Sequence, residues 1–191
     1  MKKLILVTSP PASGKTFVSQ ELAKKLKHTV YLDKDALLPL SNMIFKVAGQ
    51  EMNRSSDFFE ENIRNYEYEA ILNIAFEALE YEDLVLLNAP FTREVKDNDY
   101  IANLKSRLAE HGAELAFIWV VTDIEVSRQR MFERNSPRDT WKLANWDEYV
   151  KTRDYSVPNI PALDGCLIKF YNSNTTEFNE SMERVSKILL K

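Results

Sequence analysis

The chain has 191 residues, of which 45% are hydrophobic and 28% are charged, a balance typical of a folded globular protein that excludes a disordered chain. The net charge of −4 argues against general electrostatic binding to nucleic acid or to an anionic membrane. A single cysteine, Cys166, cannot form an internal disulfide, and the longest apolar run, Leu115–Val121, is too short to span a bilayer. These features predict a cytoplasmic protein without a membrane partner.

Short apolar runs separated by helical patterns predict alternating strands and helices. The runs that predict strands are Leu4–Val7, Val30–Leu32, Leu84–Leu87, Leu115–Val121 and Leu167–Phe170. Because these runs are continuous rather than alternating, they indicate strands that are buried on both faces, as in a parallel sheet. Helical spacing predicts one unbroken helix over Asp57–Tyr81 and a shorter one over Trp146–Tyr155.

This order of elements predicts a single α/β domain over residues 1–191, with helices on both faces of the sheet. Two segments are longer than simple connections require. Residues 37–81 are a candidate acceptor-side insertion, and residues 128–145 are a candidate lid.

The first predicted strand leads into a sequence typical of a phosphate-binding loop. Thr8 to Thr16 match the pattern G-x-x-x-x-G-K-[ST], except that Ser9 stands in place of the first glycine. Such a loop points successive backbone N–H groups into one concavity at a helix start, which suits phosphate oxygens. Lys15 is predicted to reach the β- and γ-phosphates, and the Thr16 hydroxyl to hold Mg²⁺. The predicted nucleotide-binding residues here are Ser9, Pro10, Pro11, Ala12, Ser13, Gly14, Lys15, Thr16 and Phe17.

The alternative is an ordinary strand–turn–helix junction, which does not require Gly14, Lys15 and Thr16 in succession. Pro10 to Thr16 resemble the phosphate loop of the compact P-loop kinases and ATP-binding AAA-type kinase-like proteins. The compact kinases include shikimate kinase, gluconate kinase, chloramphenicol phosphotransferase, polynucleotide kinase and the zeta toxins. The resemblance implies a three-layer fold whose five parallel strands lie in the order 2-3-1-4-5, with ATP and Mg²⁺ as cofactors.

Two aspartates, Asp33 and Asp35, follow the second predicted strand. Carboxylates two residues apart can take different roles, one orienting a water on a metal ion and the other accepting a proton from a hydroxyl. The pair is similar to the Asp-x-Asp of shikimate kinase. This likeness implies that Asp33 faces the metal and that Asp35 positions the acceptor hydroxyl. The alternative is that the aspartate before Ala36, Leu37 and Leu38 caps the helix that follows.

The third predicted strand ends without the acidic residue that a Walker B strand carries. Residues 84–93 resemble the Asp-Gly-Phe-Pro-Arg segment of nucleoside monophosphate kinases, with Asn88 in the place of the acid and Arg93 in that of the arginine. An amide can bind a metal-bound water but adds no negative charge, so Asp33 would contribute more to the metal. Arg93 is interpreted either as an acceptor or phosphate ligand or as a lone surface arginine.

Basic residues accumulate after the fourth predicted strand. They are Arg128, Arg130, Arg134, Arg138 and Lys142. Their place in the chain is similar to the lid of the same kinases, which implies that arginines close over the nucleotide. Arg130 and Arg134 are therefore predicted to bind nucleotide, and Arg134 and Arg138 to join Lys15 and Asp35 in catalysis. A solvated basic helix is the alternative.

Asn174 precedes the last predicted helix and is expected both to cap that helix and to border the adenine.

Together these residues predict an ATP-dependent kinase that transfers the γ-phosphoryl group to a hydroxyl of a small molecule. Between Glu51 and Glu82, nine acidic residues stand against two basic ones, which favours a neutral or cationic acceptor if this segment borders the acceptor site. One alternative is a nucleotide-binding module or slow ATPase without an acceptor, favoured by Ser9 and Asn88. The other is a zeta-toxin-like or polynucleotide-end kinase, which would need a basic acceptor groove.

Overall fold

Five parallel strands form the centre of the structure, a computed structural model that describes residues 2–136, 139–152 and 154–191. The strands are β1 (Lys2–Thr8), β2 (Thr29–Asp33), β3 (Leu84–Asn88), β4 (Ala113–Val121) and β5 (Leu167–Tyr171). They lie in the order β2-β3-β1-β4-β5, and each neighbouring pair is parallel. The predicted strand order is confirmed. Because the strands run the same way, their carboxyl ends meet at one edge of the sheet.

Helices connect the strands on both faces of the sheet. They are α1 (Lys15–Leu26), α2 (Leu38–Val47), α3 (Asp57–Phe59), α4 (Asn65–Tyr81), α5 (Asn98–Glu110), α6 (Ile124–Arg134), α7 (Thr140–Ala144), α8 (Trp146–Lys151) and α9 (Thr175–Leu189). Short 3-10 turns lie at Lys34–Leu37, Glu94–Lys96 and Pro161–Leu163. Among the described residues, no helix is both long enough and apolar enough to cross a bilayer.

Each face of the sheet carries its own apolar core. Leu4 and Leu6 of β1 lie in the core beneath α4 and α5, whereas Ile5 and Val7 lie in the core beneath α1 and α9. A central strand therefore needs apolar side chains at every position, which explains the continuous runs in the sequence.

The helix predicted over Asp57–Tyr81 is one helical run interrupted by a π turn at Glu60–Arg64. A π turn holds one extra residue and so rotates the helix that follows it. Before the turn, Phe59 packs on Phe45 of α2; after it, α4 directs its apolar side chains at the sheet. The turn lets one run of helix contribute to two separate cores.

The helix predicted over Trp146–Tyr155 ends earlier, at Lys151. The Asp154 carboxylate accepts a hydrogen bond from the Ser156 backbone N–H at 2.9 Å and pairs with Lys96 Nζ at 2.8 Å. This local turn at Asp154 competes with helical hydrogen bonding, so the prediction of a longer helix was wrong.

Candidate functional site

The phosphate-loop sequence joins β1 to α1 and has two residues in the left-handed backbone region. Ala12 has φ 62° and Gly14 has φ 81°. A Cβ atom on Gly14 would lie 2.5 Å from Asn172 Nδ2, so a side chain at this position would collide with the end of β5. Gly14 is therefore required both by its backbone conformation and by the close approach of Asn172.

The carbonyl oxygen of Ser13 is the point at which other elements hold this loop. It accepts hydrogen bonds from Asn172 Nδ2 at 2.7 Å, Thr122 Oγ1 at 3.0 Å and Arg130 Nη1 at 3.3 Å. Arg130 Nη2 also donates to the Asn172 carbonyl at 2.8 Å. These donors follow β4 and β5 or lie on α6, so three distant parts of the chain set the shape of the loop. Sequence reasoning predicted that the segment containing Asn172 borders the adenine, but it did not predict the contacts of Thr122 and Asn172 with Ser13, because they belong to no local motif.

Asn88 occupies the centre of the site at the end of β3, where it is buried. Its Oδ1 accepts a hydrogen bond from Lys15 Nζ, while its Nδ2 lies 2.8 Å from Asp33 Oδ2 and 3.3 Å from Thr16 Oγ1. An amide can accept from a lysine and donate to a carboxylate at once, whereas an ionised aspartate only accepts. An acid at this position would face Asp33 with like charge, which gives a physical reason for the asparagine.

Tyr31 supports Asp33 from the same strand. Its hydroxyl donates to Asp33 Oδ2 at 3.0 Å. Burial, together with the Asp33 charge, raises the pKa of Tyr31 to about 12, so the phenol keeps its proton. Sequence reasoning missed Tyr31, although residues two apart on a strand share a face and this spacing could have indicated it.

Asp33 and Asp35 take different positions in the structure, and their predicted roles stay predictions. Asp33 Oδ1 accepts the Asp35 backbone N–H at 2.9 Å, so Asp33 does cap the short turn that follows β2. The Asp35 side chain is 67% exposed, and its ion-pair partner is Lys34 Nζ at 4.0 Å. The residue that caps is thus Asp33 and not Asp35, the aspartate next to Ala36, and Asp35 presents its carboxylate to solvent.

Lys15 is a half-buried cation beside these two carboxylates. Burial lowers the pKa of Lys15 from 10.5 to about 8, against the opposing effect of Asp33 and Asp35. The ammonium group therefore gains stability from any further negative charge placed near it.

A cleft of about 450 Å³ brings most of the predicted residues together. The phosphate loop lines this cleft together with Lys15, Thr16 and Phe17. The other lining residues are Asp35, Pro90, Thr92, Arg130, Arg134 and Lys142. Phe17 also packs against Phe178, with ring centroids 5.2 Å apart.

The basic residues of the predicted lid separate into different groups. Arg134 Nε lies 2.9 Å from Asp139 Oδ2, and Lys142 Nζ lies 2.9 Å from Asp139 Oδ1. Arg128 instead lies 3.7 Å from Glu125 and is not part of the cleft lining. The predicted catalytic residue Arg138 lies outside the described residues.

Asn174 caps α9, because its Oδ1 accepts the Glu177 backbone N–H at 3.0 Å. The predicted cap is confirmed. Asn174 does not line the cleft described above, and its contact with adenine stays a prediction.

A buried ionic cluster supports the segment next to Asp35. Glu67 of α4 accepts hydrogen bonds from Lys34 Nζ at 2.8 Å, Arg54 Nη2 at 2.5 Å and the Ser41 hydroxyl. Burial by itself would raise the pKa of Glu67, but these three hydrogen bonds lower it to about 2. Glu67 is therefore an ionised carboxylate whose charge is already balanced.

Arg93 is paired as well, with its Nη2 2.7 Å from Glu60 Oε2. Glu60 and Glu67 thus each pair with a cation. These ion pairs balance two of the nine acidic residues between Glu51 and Glu82, and the preference for a neutral or cationic acceptor stays a prediction.

Thr16 and Asp33 fit the role of magnesium-binding residues when nucleotide is present. Three hydrogen bonds occupy Asp33, which leaves one of the roughly four lone-pair positions of a carboxylate free. Within the described part of the chain, no group of three or more His, Cys, Asp or Glu side chains could hold a metal by itself. This suits Mg²⁺, which usually takes one or two carboxylates and completes its shell with water and substrate phosphates.

Several solved structures share this fold. A gluconokinase from Sinorhizobium meliloti 1021 is 15% identical over 99% of this chain and 95% of that one, with a TM-score of 0.54. A shikimate kinase from Bacteroides thetaiotaomicron is 14% identical over 100% and 99%, with a TM-score of 0.55. The Mycobacterium tuberculosis APS kinase CysC, solved with AMPPNP and APS, is 18% identical over 99% and 96%, with a TM-score of 0.53.

No curated protein shows significant similarity to the sequence. A family model, described as an AAA domain, matches residues 4–154. This match includes the phosphate loop, Asp33, Asp35, Asn88 and helix α6, and the strand order agrees with that of P-loop kinases. The chain therefore belongs to the AAA domain family and carries a P-loop kinase-like domain.

Proposed function

We propose that this protein is an ATP-dependent kinase that transfers the γ-phosphoryl group to a hydroxyl of a small molecule. The observation that carries the proposal is the position of Asp35. Its carboxylate is exposed in the same cleft as Lys15 and Thr16, and its backbone is held by Asp33. A phosphate loop explains nucleotide binding alone, whereas an exposed carboxylate across the cleft is the group that an acceptor hydroxyl requires.

In this mechanism the backbone N–H groups of the loop and the Lys15 ammonium hold the phosphates. The acceptor oxygen forms a bond to the γ-phosphorus while the bond from that phosphorus to the bridging oxygen of ADP breaks. Asp35 accepts the hydroxyl proton, and Arg134 and Lys142 stabilise the negative charge of the transferring group. Thr16 and Asp33 would hold Mg²⁺, which supplies positive charge at the phosphates.

The charges on the acceptor side favour a neutral acceptor. The cations Lys34, Arg54 and Arg93 stand against the carboxylates Glu60, Glu67 and Asp35, three of each sign. A polynucleotide end would need a basic groove, and these cations are already engaged. A neutral hydroxyl compound, such as a sugar, polyol or nucleoside, suits a wall with equal numbers of positive and negative charges better than a polynucleotide end does.

A nucleotide-binding module or slow ATPase is the second candidate, and Asn88 is the observation that favours it. Lys15 donates to Asn88, so this lysine has a protein partner without any phosphate. In this case Asp35 would have no role in turnover.

Transfer of label from γ-labelled ATP distinguishes these functions. The protein is incubated with Mg²⁺ and separate pools of neutral hydroxyl compounds, anionic metabolites and nucleic acid ends. Asp35→Asn is the test variant. Asp83→Asn is the matched control, because Asp83 precedes β3 at the opposite edge of the sheet.

We expect a labelled product from the neutral pool that falls at least about a hundredfold in Asp35→Asn, the lower range of a general-base contribution, and is retained in Asp83→Asn. Label released only as phosphate, equally in both variants, would establish the slow ATPase instead. Label confined to nucleic acid ends would overturn the assignment of a small-molecule acceptor.

A further inference from the structure

Asp139 is a fully buried carboxylate that has no part in the mechanism above, and its side chain is 0% exposed. Its Oδ2 lies 2.9 Å from Arg134 Nε and 2.5 Å from Arg134 Nη2, and its Oδ1 lies 2.9 Å from Lys142 Nζ. Both carboxylate oxygens are thus bonded to lid cations. Its backbone N–H donates to the Ser136 carbonyl at 2.8 Å, which holds the residue against the end of α6.

A buried carboxylate is unfavourable unless hydrogen bonds and opposite charges compensate it. Burial raises the pKa of Asp139, but hydrogen bonds from Lys142 and Arg134 outweigh that effect and lower it. Asp139 is therefore ionised, and its negative charge is directed at these two side chains.

Arg134 and Lys142 each keep N–H donors that Asp139 does not use. Arg134 presents its Nε–Nη2 edge to Asp139, which leaves Nη1 of its five-donor fork available. Lys142 uses one of its three N–H groups on Asp139. The side chains of Arg134 and Lys142 are 37% and 25% exposed, and both line the cleft that contains the phosphate loop.

We propose that Asp139 is the positioning residue that aims Arg134 and Lys142 at the terminal phosphate of a nucleoside triphosphate. The proposal rests on the proposed function only in requiring that the cleft binds such a nucleotide. If Asp139 held the cations away from nucleotide, they would not line the cleft, whereas Arg134 and Lys142 do line it and Asp139 does not. One negative charge against two positive ones leaves a net charge of +1 at the cleft wall.

The experiment compares the affinities for ATP and ADP, both with Mg²⁺, by fluorescence of their methylanthraniloyl analogues. Arg134 and Lys142 would contact the γ-phosphate, which ATP carries and ADP lacks. Asp139→Asn should therefore reduce the preference for ATP over ADP about tenfold, which is the effect of losing one charged hydrogen bond. ADP affinity should change much less. Glu125→Gln is the matched control, since it removes one negative charge from an exposed carboxylate of α6 next to Arg128 and should leave the preference unchanged.

A double-mutant cycle separates positioning from a general structural role. If Asp139 acts through the two cations, Asp139→Asn should cause no further loss of ATP preference in an Arg134→Ala, Lys142→Ala background. If Asp139→Asn does not fold, Arg134→Lys provides the test, because it keeps the charge but removes the Nε–Nη2 pair and should lower the preference similarly.

An unchanged preference for ATP over ADP in Asp139→Asn would overturn the proposal, and so would an unchanged preference in Arg134→Lys if that variant is the test. The proposal would also be overturned if Asp139→Asn caused the same tenfold loss of preference in the Arg134→Ala, Lys142→Ala background. An increased preference for ATP would overturn the proposal by showing that Asp139 holds Arg134 and Lys142 away from the nucleotide. These affinities can be measured even when no acceptor is labelled, so failure of the transfer assay leaves this test intact. A wild-type protein that binds neither nucleotide would overturn both proposals.

Discussion

The phosphate-loop side and the acceptor side of the cleft are held in place by different kinds of interaction. On the phosphate-loop side, the Ser13 carbonyl accepts three hydrogen bonds and the Asn88 amide links Lys15, Thr16 and Asp33. On the acceptor side, the same purpose is served by buried ion pairs, such as Lys34 with Glu67 and Arg64 with Glu94.

This difference shows how one cleft can present charge on one side and balance it on the other. Lys15 donates to the neutral Asn88 amide, and Arg130 adds a positive charge at the Ser13 carbonyl, so positive charge on this side stays available for phosphates. The ion pairs of the acceptor side cancel each other, which leaves a neutral wall but makes that side depend on complete pairing.

The largest effect is expected on the acceptor side. Glu67→Gln should lower the free energy of unfolding by about 3 kcal/mol, because it leaves the buried Lys34 without its counter-charge. Glu80→Gln on the same helix is the matched control, since Glu80 pairs with His111 at the surface, and it should change stability little. Urea denaturation measures both. Equal effects in the two variants would show that the cluster contributes no more than a surface pair.

The stability of the wild type should also fall in acid relative to Glu67→Gln. The unfolded carboxyl takes up a proton near pH 4.5, whereas the folded one keeps its charge until about pH 2. Protons therefore favour the unfolded state between these values, and the stability from Glu67, fully present above about pH 4.5, is lost as the pH falls toward 2. Denaturation at pH 6, 4 and 3 should show the two proteins converging. A constant difference between them would contradict the assigned pKa.

A smaller effect is expected on the phosphate-loop side. Gly14→Ala should destabilise the protein by about 2 kcal/mol, from a left-handed backbone together with a contact between its Cβ and Asn172 Nδ2. Gly165→Ala is the matched control, because Gly165 has φ 78° but open space where its Cβ would lie. Only Gly14→Ala should also weaken nucleotide binding. If thermal melts and nucleotide affinities do not distinguish the two variants, Asn172 does not constrain the loop.

The smallest effect concerns the pH dependence of nucleotide affinity. In the protein without nucleotide, Lys15 loses its proton above about pH 8, whereas the phosphates of a bound nucleotide favour its charged form. Affinity should therefore be constant below pH 8 and fall by up to about tenfold per pH unit above it, as one proton is taken up on binding. Calorimetry at pH 7 and 9, in buffers of different ionisation enthalpy, measures that proton. Lys15→Arg, whose guanidinium does not titrate in this range, should abolish the uptake; uptake that persists in this variant would assign the proton to another group.

The features that the sequence predicted are those encoded by neighbouring residues. The strand pattern and the residues Gly14, Lys15 and Thr16 follow from local periodicity and from a motif, and the structure places them together as expected. Tyr31 was missed although its partner Asp33 is only two residues away, whereas Asp139 was missed because its contacts with Arg134 and Lys142 form only in the folded chain. Counting acids between Glu51 and Glu82 likewise does not show that Glu60 and Glu67 each pair with a cation.

The contact between Ser13 and Asn172 joins residues that are 159 positions apart in the chain. Contacts of such separation form late, because the entropy of closing a long loop opposes them until the intervening elements are in place. Although the phosphate-loop sequence directly follows β1, its native shape depends on β5, which is synthesised much later than the loop. A chain whose sheet is incomplete should therefore bind nucleotide weakly, which makes nucleotide binding a measure of complete folding.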